Sequence, residues 1–111
     1  MRSPPQFEIH DEINAGRARL SPVGELDMAS VPELERAARR LLSQDATELI
    51  IDLSRVPFMD SSGLRLLISL HDEACEEGWT LGLLRPSAGP AALFHLTGLD
   101  EHLPLIEQPV A

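Results

Sequence analysis

Met59-Asp60-Ser61-Ser62-Gly63-Leu64 is the stretch whose reading decides how this chain folds. It stands between a short apolar run, Thr47-Glu48-Leu49-Ile50-Ile51-Asp52-Leu53, and a periodic stretch over about 62–77. The first run has the pattern of a strand buried on both faces. The second puts Leu64, Leu67, Ile68, His71, Ala74 and Cys75 on one helical face and meets a stop at Gly78. The six residues are therefore a strand-to-helix junction. A serine at such a junction caps the helix by accepting backbone N–H bonds. It also sits where the helix dipole favours an added negative charge. Ser61 is either a cap alone or also an acceptor of phosphate.

Upstream, Ser43-Gln44-Asp45-Ala46 joins the apolar run to a helix expected over 31–43. Val31, Leu34, Ala37, Ala38, Leu41 and Leu42 form its apolar stripe. Ser30 and Glu33 have the spacing of a capping box, and Pro32 in the first turn costs little because those N–H groups lack helical partners. The preceding Gly24-Glu25-Leu26-Asp27-Met28-Ala29 carries two carboxylates at i, i+2. They read as a solvated acidic loop or as a general acid/base pair. Further upstream, Phe7, Ile9 and Ile13 alternate with Glu8, His10 and Glu12, and Asn14-Ala15-Gly16 is a turn signal. Ala18, Leu20 and Val23 continue into a second strand, so 7–23 reads as a hairpin. Pro22 marks an edge, an end or a bulge, because it has no N–H for a ladder.

Downstream, Trp79-Thr80-Leu81-Gly82-Leu83-Leu84 is a strand and Arg85-Pro86-Ser87-Ala88-Gly89-Pro90 a loop. Ala91, Ala92, Leu93, Phe94 and Leu96 form a short helix stopped by Gly98, and Leu103-Pro104-Leu105-Ile106 is a final strand. The order β-β-α-β-α-β-α-β implies parallel neighbours joined by right-handed crossovers plus an antiparallel hairpin. The expected fold is a small α/β sandwich: a mixed β-sheet with helices packed on it. It makes a single domain over 1–111, with loose tails at 1–5 and 108–111.

Composition narrows the function. The net charge of -9 repels nucleic-acid phosphates and anionic lipid surfaces, so neither partner is expected. All nine basic residues are arginine, which removes a Walker A lysine, a Schiff-base lysine and a lysine general base. No apolar run approaches a membrane span, and no apolar segment follows the N-terminus as in a secretory signal. The lone Cys75 excludes an internal disulfide and fits a cytoplasmic chain. Its exposed acidic loops fit a monomer.

Two pairs on the second helix need separate readings. His71 and Cys75 are spaced like two metal ligands on one face, but no third ligand lies near in sequence, which favours core packing. Leu66 and Leu70 turn partly away from the apolar face; they pack on a neighbouring helix or offer a partner an apolar contact. Serine hydrolysis lacks the G-x-S-x-G elbow, and His71 lies more than two turns along the helix from Ser61. Glycine-rich phosphate loops are absent as well. These exclusions leave a binding or regulatory module.

Three pieces carry a resemblance to a known family. Gly24-Glu25-Leu26-Asp27 resembles the G-E-L-D turn of the STAS domain, specifically that of bacterial anti-sigma factor antagonists. Phe58-Met59-Asp60-Ser61-Ser62-Gly63-Leu64 resembles the family's phosphorylation motif at the start of the second helix. Leu96-Thr97-Gly98-Leu99 resembles the motif ending its third helix. The likeness spans roughly residues 6–107. Two departures are Pro22, which interrupts the second strand, and Pro86-Ser87-Ala88-Gly89-Pro90, which is looser than a tight helix cap.

The resemblance implies a partner switch. The unphosphorylated protein would bind an anti-sigma factor that is also a GHKL-type serine kinase, freeing the sigma factor. The kinase would then phosphorylate Ser61, and a PP2C-type phosphatase would reverse the mark. ATP would belong to the kinase, so this chain would need no cofactor or metal and would not be an enzyme. Glu25, Asp27, Asp60, Ser62, Gly63, Leu64, Arg65 and Leu66 are the partner-facing residues this implies. Asp60 has two readings, orienting the Ser61 hydroxyl or capping the helix. The alternative function is a STAS scaffold in another signalling or transport assembly. A small hydrolase using Ser61 or Ser62 is the third possibility.

Overall fold

The computed structural model describes residues 7–106. The tails expected at 1–5 and 108–111 lie outside the described residues. Strand β1 (Glu8–Asn14) and strand β2 (Arg17–Val23) form the expected hairpin, with Asn14 opposite Arg17. Ala15 and Gly16 turn it with φ of 53° and 81°, a tight turn whose twist matches that of the strands. Along β2 the buried residues are Ala18, Leu20 and Pro22, so Pro22, not Val23, continues the inward phase. The parallel register with β3 ends at Leu20 opposite Ile51, short of Pro22, and the missing N–H costs no bond in that ladder.

Helix α1 (Val31–Leu42), strand β3 (Glu48–Asp52), helix α2 (Ser61–Glu77), strand β4 (Thr80–Leu84), helix α3 (Ala88–Thr97) and strand β5 (Leu105–Ile106) follow in order. The sheet runs β1-β2-β3-β4-β5, antiparallel in the hairpin and parallel from β2 onward. Three parallel crossovers step the same way along the sheet and, with the hand such connections take, place α1, α2 and α3 on one face. The core agrees: Leu20, Leu49, Ile51 and Leu83 of the sheet meet Leu34 and Ala38 of α1, Leu67 and Leu70 of α2, and Phe94 of α3. Each fully buried leucine contributes about 1.5–3 kcal/mol. This is the mixed α/β sandwich that the sequence pattern implied.

Four expectations need correction. The buried face of α2 is Gly63, Leu64, Leu66, Leu67, Leu70 and Ala74, rotated from the face expected. Leu66 and Leu70 are therefore core residues, and Leu66 is no exposed contact for a partner. The rotation carries Cys75 out to solvent and leaves His71 half-buried, so Cys75 does not pack in the core. No group of three or more metal-ligating side chains occurs among the described residues.

The third correction concerns α3, which begins at Ala88, inside the segment expected to be a loop. Pro90 occupies its first turn, where a missing N–H breaks no helical bond. Ser87 Oγ reaches across and donates to the Val56 carbonyl. The fourth concerns α1: Ser30 stands at its N-cap but makes no side-chain cap bond. The capping box does not form because the Ser30 hydroxyl is used in the preceding turn.

Candidate functional site

The site is built where two loops meet at one end of the sheet. Leu26 and Met59 form an isolated parallel bridge. The Leu26 N–H donates to the Phe58 carbonyl at 2.9 Å, the Asp60 N–H to the Leu26 carbonyl at 3.2 Å, and the Gly24 N–H to the Arg55 carbonyl at 3.1 Å. Both bridge side chains point into the core. Because side chains alternate along extended backbone, Glu25 and Asp27 on one segment and Phe58 and Asp60 on the other turn away from it.

The acidic turn is internally braced. The buried Ser30 hydroxyl donates to the Glu25 carbonyl at 2.7 Å and accepts the Asp27 N–H at 3.0 Å. Asp27 Oδ1 accepts the N–H groups of Ala29 and Ser30 at 3.0 and 3.2 Å. Asp27 thus spends part of its carboxylate on its own turn, the usual work of an aspartate before a helix. Glu25 is exposed and has no side-chain partner among the described residues.

At the start of α2 the two readings of Asp60 are resolved in favour of the cap. Asp60 has extended backbone, and its Oδ1 accepts the N–H groups of Ser62 at 2.8 Å and Gly63 at 3.3 Å. It satisfies two of the otherwise unpaired donors of the helix. Ser61 is then the first helical residue, exposed, with no hydrogen bond from its hydroxyl to a described residue. Ser62 is half-buried behind it. Gly63 packs so closely that a Cβ would lie 2.7 Å from Met59 Cγ and 3.0 Å from Leu26 Cγ. The absence of a side chain lets the helix start sit directly on the Leu26–Met59 bridge.

The partner-facing residues expected from sequence divide accordingly. Glu25 and Asp27 lie on the turn bridged to the segment before Ser61, Asp60 and Ser62 flank the exposed Ser61 in the chain, and Arg65 is exposed one turn along α2. Gly63, Leu64 and Leu66 are buried and support the surface from beneath. Two exposed residues were missed. Met28 is 76% exposed in the acidic turn, and Phe58 is 49% exposed three residues before Ser61. The signal for Phe58 was its phase: it adjoins Met59, which faces inward. An apolar Phe and Met beside three carboxylates make a surface suited to a partner with an apolar pocket and a basic rim.

The comparisons with known proteins bear on this geometry. The family model described as Mlab, STAS domain matches residues 9–107. Anti-sigma-F factor antagonist RsfB of Mycobacterium tuberculosis is 31% identical over 101 residues, covering 91% of this chain and 82% of RsfB. The chain belongs to the STAS-domain family of anti-sigma factor antagonists. The crystal structure of an anti-sigma factor antagonist from Mycobacterium paratuberculosis superposes on this STAS domain with a TM-score of 0.82 at 30% identity, over 97% of this chain and 92% of the other. Unphosphorylated SpoIIAA, also an anti-sigma factor antagonist, gives a TM-score of 0.75 at 25% identity, over 94% and 89% of the two chains. The Bacillus cell fate determinant SpoIIAA in its phosphorylated form gives 0.70 at 25% identity, over 94% and 92%. This STAS domain thus shares its fold with a protein solved both with and without phosphate. No helix among its described residues is long and apolar enough to cross a membrane.

Proposed function

We propose that this STAS domain is an anti-sigma factor antagonist switched off by phosphorylation of Ser61. In its unphosphorylated form it binds an anti-sigma factor that is also a GHKL-type serine kinase, and so releases the sigma factor. The kinase transfers the γ-phosphoryl group of ATP to Ser61 Oγ; ADP leaves and the hydroxyl proton goes to a base on the kinase. A PP2C-type phosphatase hydrolyses the mark. ATP is the kinase's substrate, so the antagonist itself uses no cofactor or metal and acts in the cytoplasm as a regulator, not an enzyme. It works as a monomer without nucleic-acid or membrane partners, in keeping with the net charge of -9.

The observation that carries this reading is the division of labour at the helix start. Asp60 caps α2, which leaves the exposed Ser61 hydroxyl without a structural task. Phosphate adds about -1.5 to -2 charge there. The backbone does not need that hydroxyl, so the fold tolerates the change. The partner surface does not: it closes over a neutral hydroxyl, and a dianion there adds bulk and a charge that must be desolvated at the centre of the contact.

The test is incubation with candidate anti-sigma factor kinases and ATP, followed by location of phosphate by mass spectrometry. Phosphate on Ser61 is expected. Ser61→Ala should stay folded and bind the kinase constitutively, whereas Ser61→Asp should bind at least about tenfold more weakly, a loss of about 1.4 kcal/mol. Equal affinity of the two variants, measured by calorimetry, would count against a charge switch.

A further inference from the structure

We propose that Arg65 clamps the phosphoryl group of phosphorylated Ser61 from within the same helix, so that this chain carries its own counter-charge for the mark. The inference rests on the reading of Ser61 as the phosphoacceptor and specifies what becomes of the mark once it is made.

A phosphate on the first residue of a helix ordinarily finds its donors in the free backbone N–H groups there. In this protein two of them are taken, because Asp60 Oδ1 holds the N–H groups of Ser62 and Gly63 at 2.8 and 3.3 Å. The charged groups on the two loops that meet there are Glu25, Asp27 and Asp60, which repel a dianion, and Arg55 at the far end of the loop before α2. Of the N–H groups in this first turn the Ser61 N–H is the one left, so a counter-charge for the dianion has to be a side chain.

Arg65 supplies it by position. It is exposed and lies four residues after Ser61 in α2, so the two side chains rise from the same strip of helix surface. The order is the favourable one, with the anion N-terminal to the cation. Long side chains in a helix lean toward its N-terminus, the direction of Ser61; on its other side Arg65 borders a surface hollow shared with Ser69, Asp72 and Glu73, without an ion pair to either carboxylate among the described residues. Arg65 is also uncommitted. Arg19, Arg39 and Arg40 are paired with Asp52, Glu35 and Glu73, and Asp11. Arg65 has no carboxylate partner among the described residues. A planar guanidinium offers two parallel N–H donors to two phosphoryl oxygens, a geometry a point charge cannot match. In the unphosphorylated state the same group stands beside a neutral hydroxyl, so phosphorylation converts a local positive charge into a paired, net negative one.

The experiment installs phosphoserine at position 61 of the full chain by genetic code expansion, which makes it independent of any kinase. Phosphorus NMR then follows the second ionisation of the phosphate against pH in the parent chain, in Arg65→Gln and in Arg55→Gln. The clamp favours the dianion. Arg65→Gln should therefore lower the second dissociation constant about two- to threefold. Arg55→Gln removes the same charge without the helical spacing and should change it much less. At 1 M salt most of the Arg65 effect should vanish. A shift with Arg65→Gln no larger than with Arg55→Gln overturns the proposal. Circular dichroism of unphosphorylated Arg65→Gln should match the parent, since the side chain holds no partner among the described residues. If no kinase marks Ser61, the functional reading fails while the titration still decides whether the clamp exists.

Discussion

At Ser61 and Asp60 a shift of one position separates a structural serine from an available one. Had the helix begun one residue later, the Ser61 hydroxyl would hold the backbone N–H groups and be of little use to a kinase. Asp60 holds them instead. Asp60→Ala should therefore cost about 0.5–2 kcal/mol of stability by denaturant unfolding, with Asp60→Asn retaining most of it. If Ala and Asn are equally damaging, the carboxylate acts through charge and not as a cap. Sequence alone left both residues as possible caps, because helix ends read from sequence drift by a residue or two while capping is decided at one. The same limit explains Ser30. Its spacing to Glu33 suggests a capping box, yet its hydroxyl is drawn into the turn by the Glu25 carbonyl and the Asp27 N–H. That competition depends on how the turn closes, which spacing does not encode.

At the level of elements, the strands were legible because hydrophobic runs and alternation are local. The helices were less so. In α2 the apolar positions are dense enough to draw more than one stripe, and only the docked sheet selects Leu66 and Leu70 over Ile68 and Cys75. In α3, Ala88-Gly89-Pro90 has loop composition but forms the first turn, held by contact with the loop before α2. Gly89 shows why the contact needs that residue: a Cβ there would lie 2.3 Å from the Pro57 carbonyl oxygen. Gly89→Ala gains helix propensity of about 1 kcal/mol but pushes against backbone that cannot rotate away. The net effect expected is a loss of about 1–2 kcal/mol, in the range of overpacked sites, visible as a lower melting temperature. Because Pro57 adjoins Phe58, the same variant should also disturb the surface beside Ser61. An Ala variant as stable as the parent would show that α3 can slide away from this loop.

Across the whole molecule, the sheet is locked by more than its apolar face. Arg19 on β2 and Asp52 at the end of β3 pair at 2.8 Å, with the Asp52 side chain only 13% exposed. Burial alone would raise the ionisation range of Asp52. The hydrogen bonds from Ser54 and the Arg19 guanidinium outweigh it and hold the carboxyl below its ordinary value. The sign of the consequence follows. A carboxyl whose folded value is depressed contributes stability that is fully present above its unfolded value, near 3.9, and lost as pH falls through the folded one. Asp52→Asn removes that contribution at every pH. The parent should thus exceed the variant by about 1 kcal/mol at pH 7, a modest figure because the Arg19 end is partly solvated. The gap should close progressively below about pH 4. Both chains carry the rest of the acidic excess, so their shared self-repulsion cancels in the difference, and paired urea titrations across pH 2.5–7 isolate the single ion pair. A gap that stays constant down to pH 2.5 would mean that Asp52 supports the β3 end through Ser54 geometry that Asn preserves poorly, and that its charge contributes nothing.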